Sequence, residues 1–182
     1  PKLPFITSTL QQEASTKLNF SSKKTMQIAQ KLYEGISIKG NQEGLITYMR
    51  SDSTRLSDVF VKEAFNYIEY TYGKKYVGKV HQKNNKNVQD AHEAIRPTSA
   101  MRTPEDLKTV LSRDQLRLYR LIWERFVASQ MASAVLDTVT VDLLNNDVQF
   151  RANGSQVKFP GFMKLYIEGT DDQTEETTKL LP

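Results

Sequence analysis

The chain has 182 residues, of which 38% are hydrophobic and 25% charged, with a formal net charge of +4 and no cysteine. This composition is typical of a globular protein, and the lack of cysteine excludes disulfides and thiolate metal sites and favours a reducing, cytoplasmic compartment. No apolar run approaches the roughly 20 residues that a membrane helix needs, and the first residues do not form a signal peptide. The chain begins without methionine, so we expect a segment of a longer polypeptide.

Charge is divided unevenly along the chain. Residues 1–132 carry 21 basic and 13 acidic side chains, a net charge of +8, whereas residues 133–182 carry four basic and eight acidic ones, a net charge of −4. A basic first part favours a polyanionic partner, nucleic acid before membrane, because no basic amphipathic helix stands out. From charge alone, a solvated basic surface is an equally good interpretation.

Two short helices are predicted near the N-terminus. Apolar side chains that repeat every four residues predict a helix over about 9–18, and a second helix is predicted between an N-cap at Ser22 and a stop at Gly35. About three residues separate them. This arrangement is helix-turn-helix-like, a shape that is used on DNA but is equally common as plain packing.

Three further helical segments are predicted before residue 132. One is capped by Ser57 and stopped at residue 73, and Thr103 followed by Pro104 predicts the start of another. Ser112 and Gln115 have the spacing of a capping box, and the longer helix that follows has a mostly apolar stripe. We interpret this last helix as a core element without a chemical role.

Beyond about residue 133 the pattern changes to strands. Residues 135–143 alternate with a period of two, and Asn145 and Asn146 indicate a turn. Further strands are predicted at three segments: 148–154, 156–159 and 162–169. An acidic, polar tail with no packing signal follows. The sequence therefore predicts an α+β protein, with a mainly helical domain over residues 1–132 and a β-rich unit over residues 133–182.

Residues 44–49, Gly-Leu-Ile-Thr-Tyr-Met, have the β-branched and aromatic content of a short strand. On a strand, Tyr48 and Arg50 would share one face, while Thr47 and Met49 would point away. The polar run that follows would place the pair at a strand end beside a loop. Most tyrosine–arginine pairs at this spacing are explained by a packed tyrosine and a surface arginine. The position beside a loop also suits a functional site.

The side chains of Tyr48 and Arg50 also suit phosphate chemistry. A phenol is a poor nucleophile at neutral pH because its ordinary pKa is about 10. An adjacent guanidinium favours the phenolate and binds a phosphate through two parallel hydrogen bonds. The pair therefore carries the minimum chemistry for attack on a phosphodiester.

A second candidate segment is residues 89–98, Gln-Asp-Ala-His-Glu-Ala-Ile-Arg-Pro-Thr. Asp90 and Glu93 have the spacing of a capping box, so a helical turn would place His92 and Arg96 on one face. The helix N-terminus would favour a neutral His92 imidazole, and Arg96 would add a phosphate contact. Taken alone, the segment is more simply explained as one helical turn with incidental polar residues.

Residues 71–89 contain lysines and no acidic side chain, which predicts a surface loop that either binds phosphates or is only solvated. Its lysines are Lys74, Lys75, Lys79, Lys83 and Lys86.

Residues 44–57 and 89–98, in this order, resemble the active-site tyrosine region of the bacterial type IA DNA topoisomerases. Residues 4–36 resemble the stretch that precedes the tyrosine in that family, and residues 117–143 resemble the exit from its tyrosine domain. The resemblance covers essentially the whole chain.

The resemblance implies a role for individual residues. Tyr48 would be the nucleophile that becomes linked to the 5′-phosphate of a cut single strand, and Arg50 would orient and stabilise the scissile phosphate. His92 would help to order the site, and Arg96 matches the basic residue of the same segment. Ser51 stands where family members often have threonine, so the hydroxyl is kept.

The resemblance also implies the architecture and the partners. Residues 1–132 would be the tyrosine domain, and residues 133–182 part of the β-rich hinge or arch domain with an acidic C-terminal tail. The whole enzyme would relax negatively supercoiled DNA by cutting one strand, passing the other and resealing. Its partners would be single-stranded or negatively supercoiled DNA and the remaining domains of the same polypeptide, with no membrane.

No cluster of acidic residues has the spacing of a divalent-metal site, and no glycine-rich phosphate loop is present. In the full-length enzyme Mg²⁺ would be held by an acidic domain outside this chain, and no nucleotide would be needed. We therefore expect the chain alone to be inactive.

Two alternatives remain open. A non-catalytic single-stranded DNA-binding module is supported by the basic loop and the first two helices. A tyrosine recombinase also uses tyrosine and arginine, but it gathers several distant arginines and histidines and forms a 3′-phosphate link.

Overall fold

The computed structural model describes residues 1–79 and 92–167. Within these ranges it has four α-helices: α1 (Thr7–Leu18), α2 (Ser22–Glu34), α3 (Asp58–Tyr72) and α4 (Arg113–Ser129). It also has two antiparallel hairpins, formed by β1 (Ile36–Ile38) with β2 (Asn41–Glu43) and by β3 (Val135–Asn145) with β4 (Val148–Phe159). These elements confirm the predicted α+β class.

Local capping explains where α2 and α4 begin. The N-cap of α2 is Ser21, one residue before the predicted one, and its side chain accepts a hydrogen bond from the Lys24 amide at 3.2 Å. At the start of α4 the predicted capping box is confirmed, because Ser112 and Gln115 exchange side-chain-to-backbone hydrogen bonds of 3.3 and 3.1 Å. The helix predicted after Thr103 is wrong, since only a short 3₁₀ turn forms there, at Glu105–Leu107.

The core lies around α4, which is buried on almost every side after its first turn. Leu118, Ile122 and Phe126 are fully buried, and α4 packs against α1 and α2. Tyr119 of this helix is buried but keeps a hydrogen bond, because its hydroxyl donates to the Arg102 carbonyl at 2.6 Å. This confirms the predicted core role of the helix.

The hairpin of β3 and β4 is one long ribbon. The two segments predicted as separate strands, 148–154 and 156–159, form a single continuous strand, and the predicted turn is confirmed by Asn146 at φ 54°. The apolar residues Val139, Val141 and Leu143 of β3 remain exposed.

The strand predicted at residues 162–169 is wrong over its described part. Residues Gly161–Lys164 form a 3₁₀ turn instead. Gly161 has φ 50°, and a Cβ there would lie 2.4 Å from the Ala132 carbonyl oxygen, so only glycine fits this close approach. The Phe162 amide donates to the Ala132 carbonyl at 2.9 Å, and Tyr166 is buried against Glu13. This segment therefore returns to the helices, and the domain boundary at 132/133 stays a prediction.

No helix in the described part of the chain is both long and apolar enough to span a membrane.

Candidate active site

Residues 44–49 do not form the predicted strand. The segment contributes one isolated bridge, between Ile46 and Pro97, and the Leu45 amide donates to the carbonyl of Leu32 in α2 at 2.8 Å. Leu45, Ile46 and Met49 are fully buried in the helical core. The apolar content that resembled a strand therefore serves to pack this segment onto the helices.

Tyr48 and Arg50 nevertheless reach the surface on either side of a buried residue. Tyr48 is 44% exposed and Arg50 is exposed, while Met49 between them has no exposed surface. The candidate nucleophile and the candidate phosphate ligand are thus both accessible to a polymer such as DNA.

The backbone just before Tyr48 is held by residues 94–96. The Thr47 amide donates to the Arg96 carbonyl at 2.9 Å, and the Arg96 amide donates to the Thr47 hydroxyl at 3.0 Å. The Thr47 hydroxyl donates in turn to the carbonyl of Ala94 at 2.7 Å. These bonds restrict where the Tyr48 backbone lies.

The backbone around Arg50 is held from the other side by α1. The Thr7 hydroxyl donates to the Met49 carbonyl at 2.9 Å and accepts from the Ser51 amide at 2.9 Å. The Ser51 hydroxyl donates to the Glu93 carbonyl at 2.6 Å. Both neighbours of Arg50 in the chain are therefore anchored, and the Arg50 side chain itself is exposed.

The helical turn predicted around His92 and Arg96 is wrong. Residues 92–97 are extended, and the Ile95 amide donates to the Phe5 carbonyl at 2.9 Å. Backbone bonds to distant segments replace the local helical ones, so the two side chains do not share a helical face. Asp90, the predicted cap, lies outside the described residues.

His92 and Arg50 line the same open groove, of about 440 Å³. The rest of the groove is formed by the start of α1 and the chain after Arg50: Ile6, Thr7, Ser8, Gln11, Ser51 and Asp52. Tyr48 does not line this groove but lies against Tyr33, with their ring centroids 5.3 Å apart. The structure thus brings His92 and Arg50 together, with Tyr48 two residues away in the chain.

Arg96 lies in the interior. It is 3% exposed, and its guanidinium donates to the Glu93 carboxylate at 2.7 Å and to the Pro97 carbonyl at 2.9 Å. The same group lies 3.3 Å from the centre of the Phe60 ring. Burial lowers the pKa of Arg96, and the hydrogen bond to Glu93 opposes this effect. A phosphate contact would require these bonds to break, so the structure gives Arg96 a structural role instead.

The lysines of the predicted basic loop are only partly described. Lys74, Lys75 and Lys79 are exposed, and the first two belong to a short 3₁₀ turn that follows α3. Lys83 and Lys86 lie outside the described residues. A DNA contact by these lysines stays a prediction.

The sequence patterns missed several residues around the site. Thr7 lies just before the predicted first helix and had no assigned role, yet it holds the backbone on both sides of Arg50. Tyr33, at the end of α2, had no assigned role. Its signal in the sequence is an aromatic residue two positions before the helix stop at Gly35; Tyr33 itself lies 15 residues before Tyr48.

Within residues 1–79 and 92–167, no group of three or more His, Asp or Glu side chains is placed to hold a metal ion. The predicted Mg²⁺ ligands outside this chain stay a prediction.

Comparisons with known proteins identify the family of the chain. The model of the DNA topoisomerase family matches residues 1–182. Among solved structures, the chain is similar to full-length topoisomerase I from Thermotoga maritima, with 43% sequence identity and a TM-score of 0.81. The match covers 97% of this chain and 29% of that one, so the chain spans less than a third of this relative. This chain therefore belongs to the bacterial type IA DNA topoisomerases.

Proposed function

We propose that this chain carries the nucleophile of a type IA topoisomerase and that Tyr48 cuts single-stranded DNA by forming a 5′-phosphotyrosine link. The observation that carries the proposal is the exposure of Tyr48 and Arg50 on a segment whose backbone is hydrogen-bonded on both sides. A reactive pair on a fixed backbone is what attack on a positioned phosphate requires.

The proposed step is a transesterification. The Tyr48 oxygen attacks the phosphorus, and the bond from phosphorus to the 3′-oxygen breaks. The phenolic proton is lost and the departing 3′-oxygen takes up a proton. The phosphate is then bonded to the Tyr48 oxygen and to the 5′-oxygen of the nucleotide on the 3′ side of the cut. Resealing is the reverse reaction. The phosphotyrosine conserves the energy of the phosphodiester, so no nucleotide is consumed.

Arg50 would hold the scissile phosphate. A guanidinium donates two parallel hydrogen bonds to phosphate oxygens and balances the charge that develops there. His92 lines the same groove and would order the phosphate or a neighbouring group through its ring nitrogens. We do not include Arg96 in the phosphate site because its guanidinium is buried.

The whole protein is proposed to relax negatively supercoiled DNA by cutting one strand, passing the other and resealing. Its partners would be single-stranded or negatively supercoiled DNA and the other domains of the same polypeptide. Its location would be the bacterial cytoplasm, which contains such DNA. Mg²⁺ would belong to those other domains, and we assign no step to it in this chain. Because general acid and metal groups would lie elsewhere, we expect the isolated chain not to cut DNA.

The test uses an end-labelled single-stranded oligonucleotide and the full-length polypeptide that contains this chain. After denaturation, the parent protein should carry a covalent DNA adduct, and Tyr48→Phe, which lacks only the hydroxyl, should carry none while still binding the oligonucleotide. Tyr70→Phe is the matched control, because Tyr70 is 90% exposed on α3. An undiminished adduct in Tyr48→Phe would exclude Tyr48 as the nucleophile.

A non-catalytic single-stranded DNA-binding module is the second candidate, favoured by exposed Lys74, Lys75 and Lys79. Both candidates predict DNA binding that weakens steeply as salt rises. Only the topoisomerase predicts a covalent adduct through Tyr48, so the same experiment separates the two.

A further inference from the structure

Tyr33 and Tyr48 form an aromatic pair at the edge of the candidate active site. Their ring centroids are 5.3 Å apart and their planes meet at 61°, an edge-to-face contact. Tyr33 is the second-last residue of α2 and is 41% exposed, and Tyr48 is 44% exposed. The pair therefore lies at the surface, where a nucleic acid substrate would approach it.

The backbone fixes the distance between the two residues. The Leu45 amide donates to the Leu32 carbonyl at 2.8 Å, which attaches the segment of Tyr48 to the end of α2. At Gly44 an added Cβ would lie 2.9 Å from the Tyr33 carbonyl oxygen, so the two backbones touch there. The two rings therefore meet beside a direct backbone attachment between their segments.

This contact has a consequence for catalysis. A half-exposed tyrosine samples several side-chain rotamers, and only some of them bring its oxygen to a phosphate held at Arg50. A ring packed edge-to-face against Tyr48 favours one rotamer of Tyr48 over the others. The structure contains such a ring in Tyr33.

We propose that Tyr33 is a positioning residue, whose ring holds the Tyr48 ring in the orientation that attacks the phosphate. The inference rests on the proposed function of Tyr48. The positioning role requires the aromatic ring of Tyr33 and not its hydroxyl.

The test measures cleavage and binding separately in the full-length polypeptide. The substrate is a labelled single strand that is very short on the side of the departing 3′-hydroxyl, so that this product dissociates and cleavage becomes irreversible. Rates of adduct formation are measured at saturating oligonucleotide, and dissociation constants are measured in the Tyr48→Phe background, where the link cannot form.

Tyr33→Leu should slow adduct formation about 2- to 13-fold at saturating DNA, the range that corresponds to loss of one aromatic pair. Its dissociation constant should stay unchanged, and Tyr33→Phe should keep the parent rate. Tyr33→Met is a second substitution that removes the ring and should slow the reaction in the same range. Tyr70→Leu, at an exposed aromatic residue of α3, should have no effect.

Parent rates in both Tyr33→Leu and Tyr33→Met would overturn the inference. Weaker binding with an unchanged rate at saturation would also overturn it, because Tyr33 would then be a DNA contact. An equal loss in Tyr33→Phe and Tyr33→Leu would assign the effect to the hydroxyl and contradict a packing role. If Tyr48→Phe itself still formed the adduct, the proposed function would fail, and this result is distinct from the other three.

Discussion

Thr47 and Arg96 are hydrogen-bonded to each other in both directions although they are 49 residues apart in the sequence. The Thr47 amide donates to the Arg96 carbonyl, and the Arg96 amide donates to the Thr47 hydroxyl. Because Thr47 directly precedes Tyr48, the segment around Arg96 determines where the candidate nucleophile lies.

Thr47→Val should destabilise the fold. Valine has nearly the same shape, but it removes the hydroxyl that pairs with the Arg96 amide and the Ala94 carbonyl. We expect the free energy of unfolding to fall by about 1–3 kcal/mol, as for unpaired buried polar groups. Urea unfolding of the chain measures this change. Thr47→Ser keeps the hydroxyl, so its free energy of unfolding should fall much less. An equal fall in Thr47→Val and Thr47→Ser would contradict the role of these hydrogen bonds.

Arg96→Met should also lower the free energy of unfolding. Its guanidinium is paired with the Glu93 carboxylate, whose side chain is 23% exposed. Leaving that carboxylate unpaired should cost about 3 kcal/mol, the lower end of the range for buried pairs. Arg96→Met combined with Glu93→Gln should recover part of the loss, because no unpaired charge remains.

A DNA measurement separates this structural role from a phosphate contact by Arg96. If Arg96 bound a phosphate, the slope of log affinity for single strands against log salt would change by about 0.7 in the variant. We expect no such change. An altered slope together with unchanged stability would restore Arg96 to the DNA site.

The two errors of secondary structure at the candidate site share one physical cause. Residues 44–49 and 89–98 were assigned by local pattern to a strand and a helical turn, but each of these segments bonds to a part of the chain far away in the sequence. The Leu45 amide reaches α2, and the Ile95 amide reaches Phe5. Such partners leave no periodic signal, so the local secondary structure could not be predicted there.

The elements that were predicted correctly have local causes. The start of α4 depends on Ser112 and Gln115, three residues apart, and α3 begins after Ser57 and ends at Gly73 as expected. The exposure of Tyr48 and Arg50 also agrees with the alternation around Met49, although no strand forms. The exposure of the pair was therefore readable from the sequence. The contacts of Thr7 and Tyr33 were not, because they depend on the tertiary fold.

Glu124 provides a pH-dependent test of the packing of α4. Burial raises the pKa of its carboxyl, and nearby Arg120 and Lys17 oppose the shift. Between the ordinary glutamate pKa and this raised value, the folded state binds more protons than the unfolded state, so stability falls as the pH rises through that window.

Glu124→Gln removes this titration. We expect the free energy of unfolding of the variant minus that of the parent to be larger at pH 8 than at pH 4, because only the parent loses stability as the Glu124 carboxyl ionises. Urea unfolding of the two proteins across this range is the measurement. A difference that is constant with pH, or that decreases toward pH 8, would show that Glu124 is not buried as described.

Arg50→Lys should impair cleavage although the charge is kept. An ammonium cannot reproduce the two parallel hydrogen bonds of a guanidinium. Loss of one charged hydrogen bond in the transition state corresponds to a rate decrease of about 10- to 100-fold. The rate of adduct formation in the full-length polypeptide measures this, with Arg113→Lys at the exposed start of α4 as the control. If Arg50→Lys formed the adduct at the parent rate, Arg50 would be a surface residue without a catalytic role.

The most direct measurement identifies the residue and the DNA end that are joined. The full-length polypeptide is trapped on a single-stranded oligonucleotide, digested with protease and nuclease, and sequenced by mass spectrometry. We predict a nucleotide attached through its 5′-phosphate to the Tyr48 oxygen. A link to another residue, or a link through a 3′-phosphate as in tyrosine recombinases, would contradict the assignment of Tyr48 as the topoisomerase nucleophile.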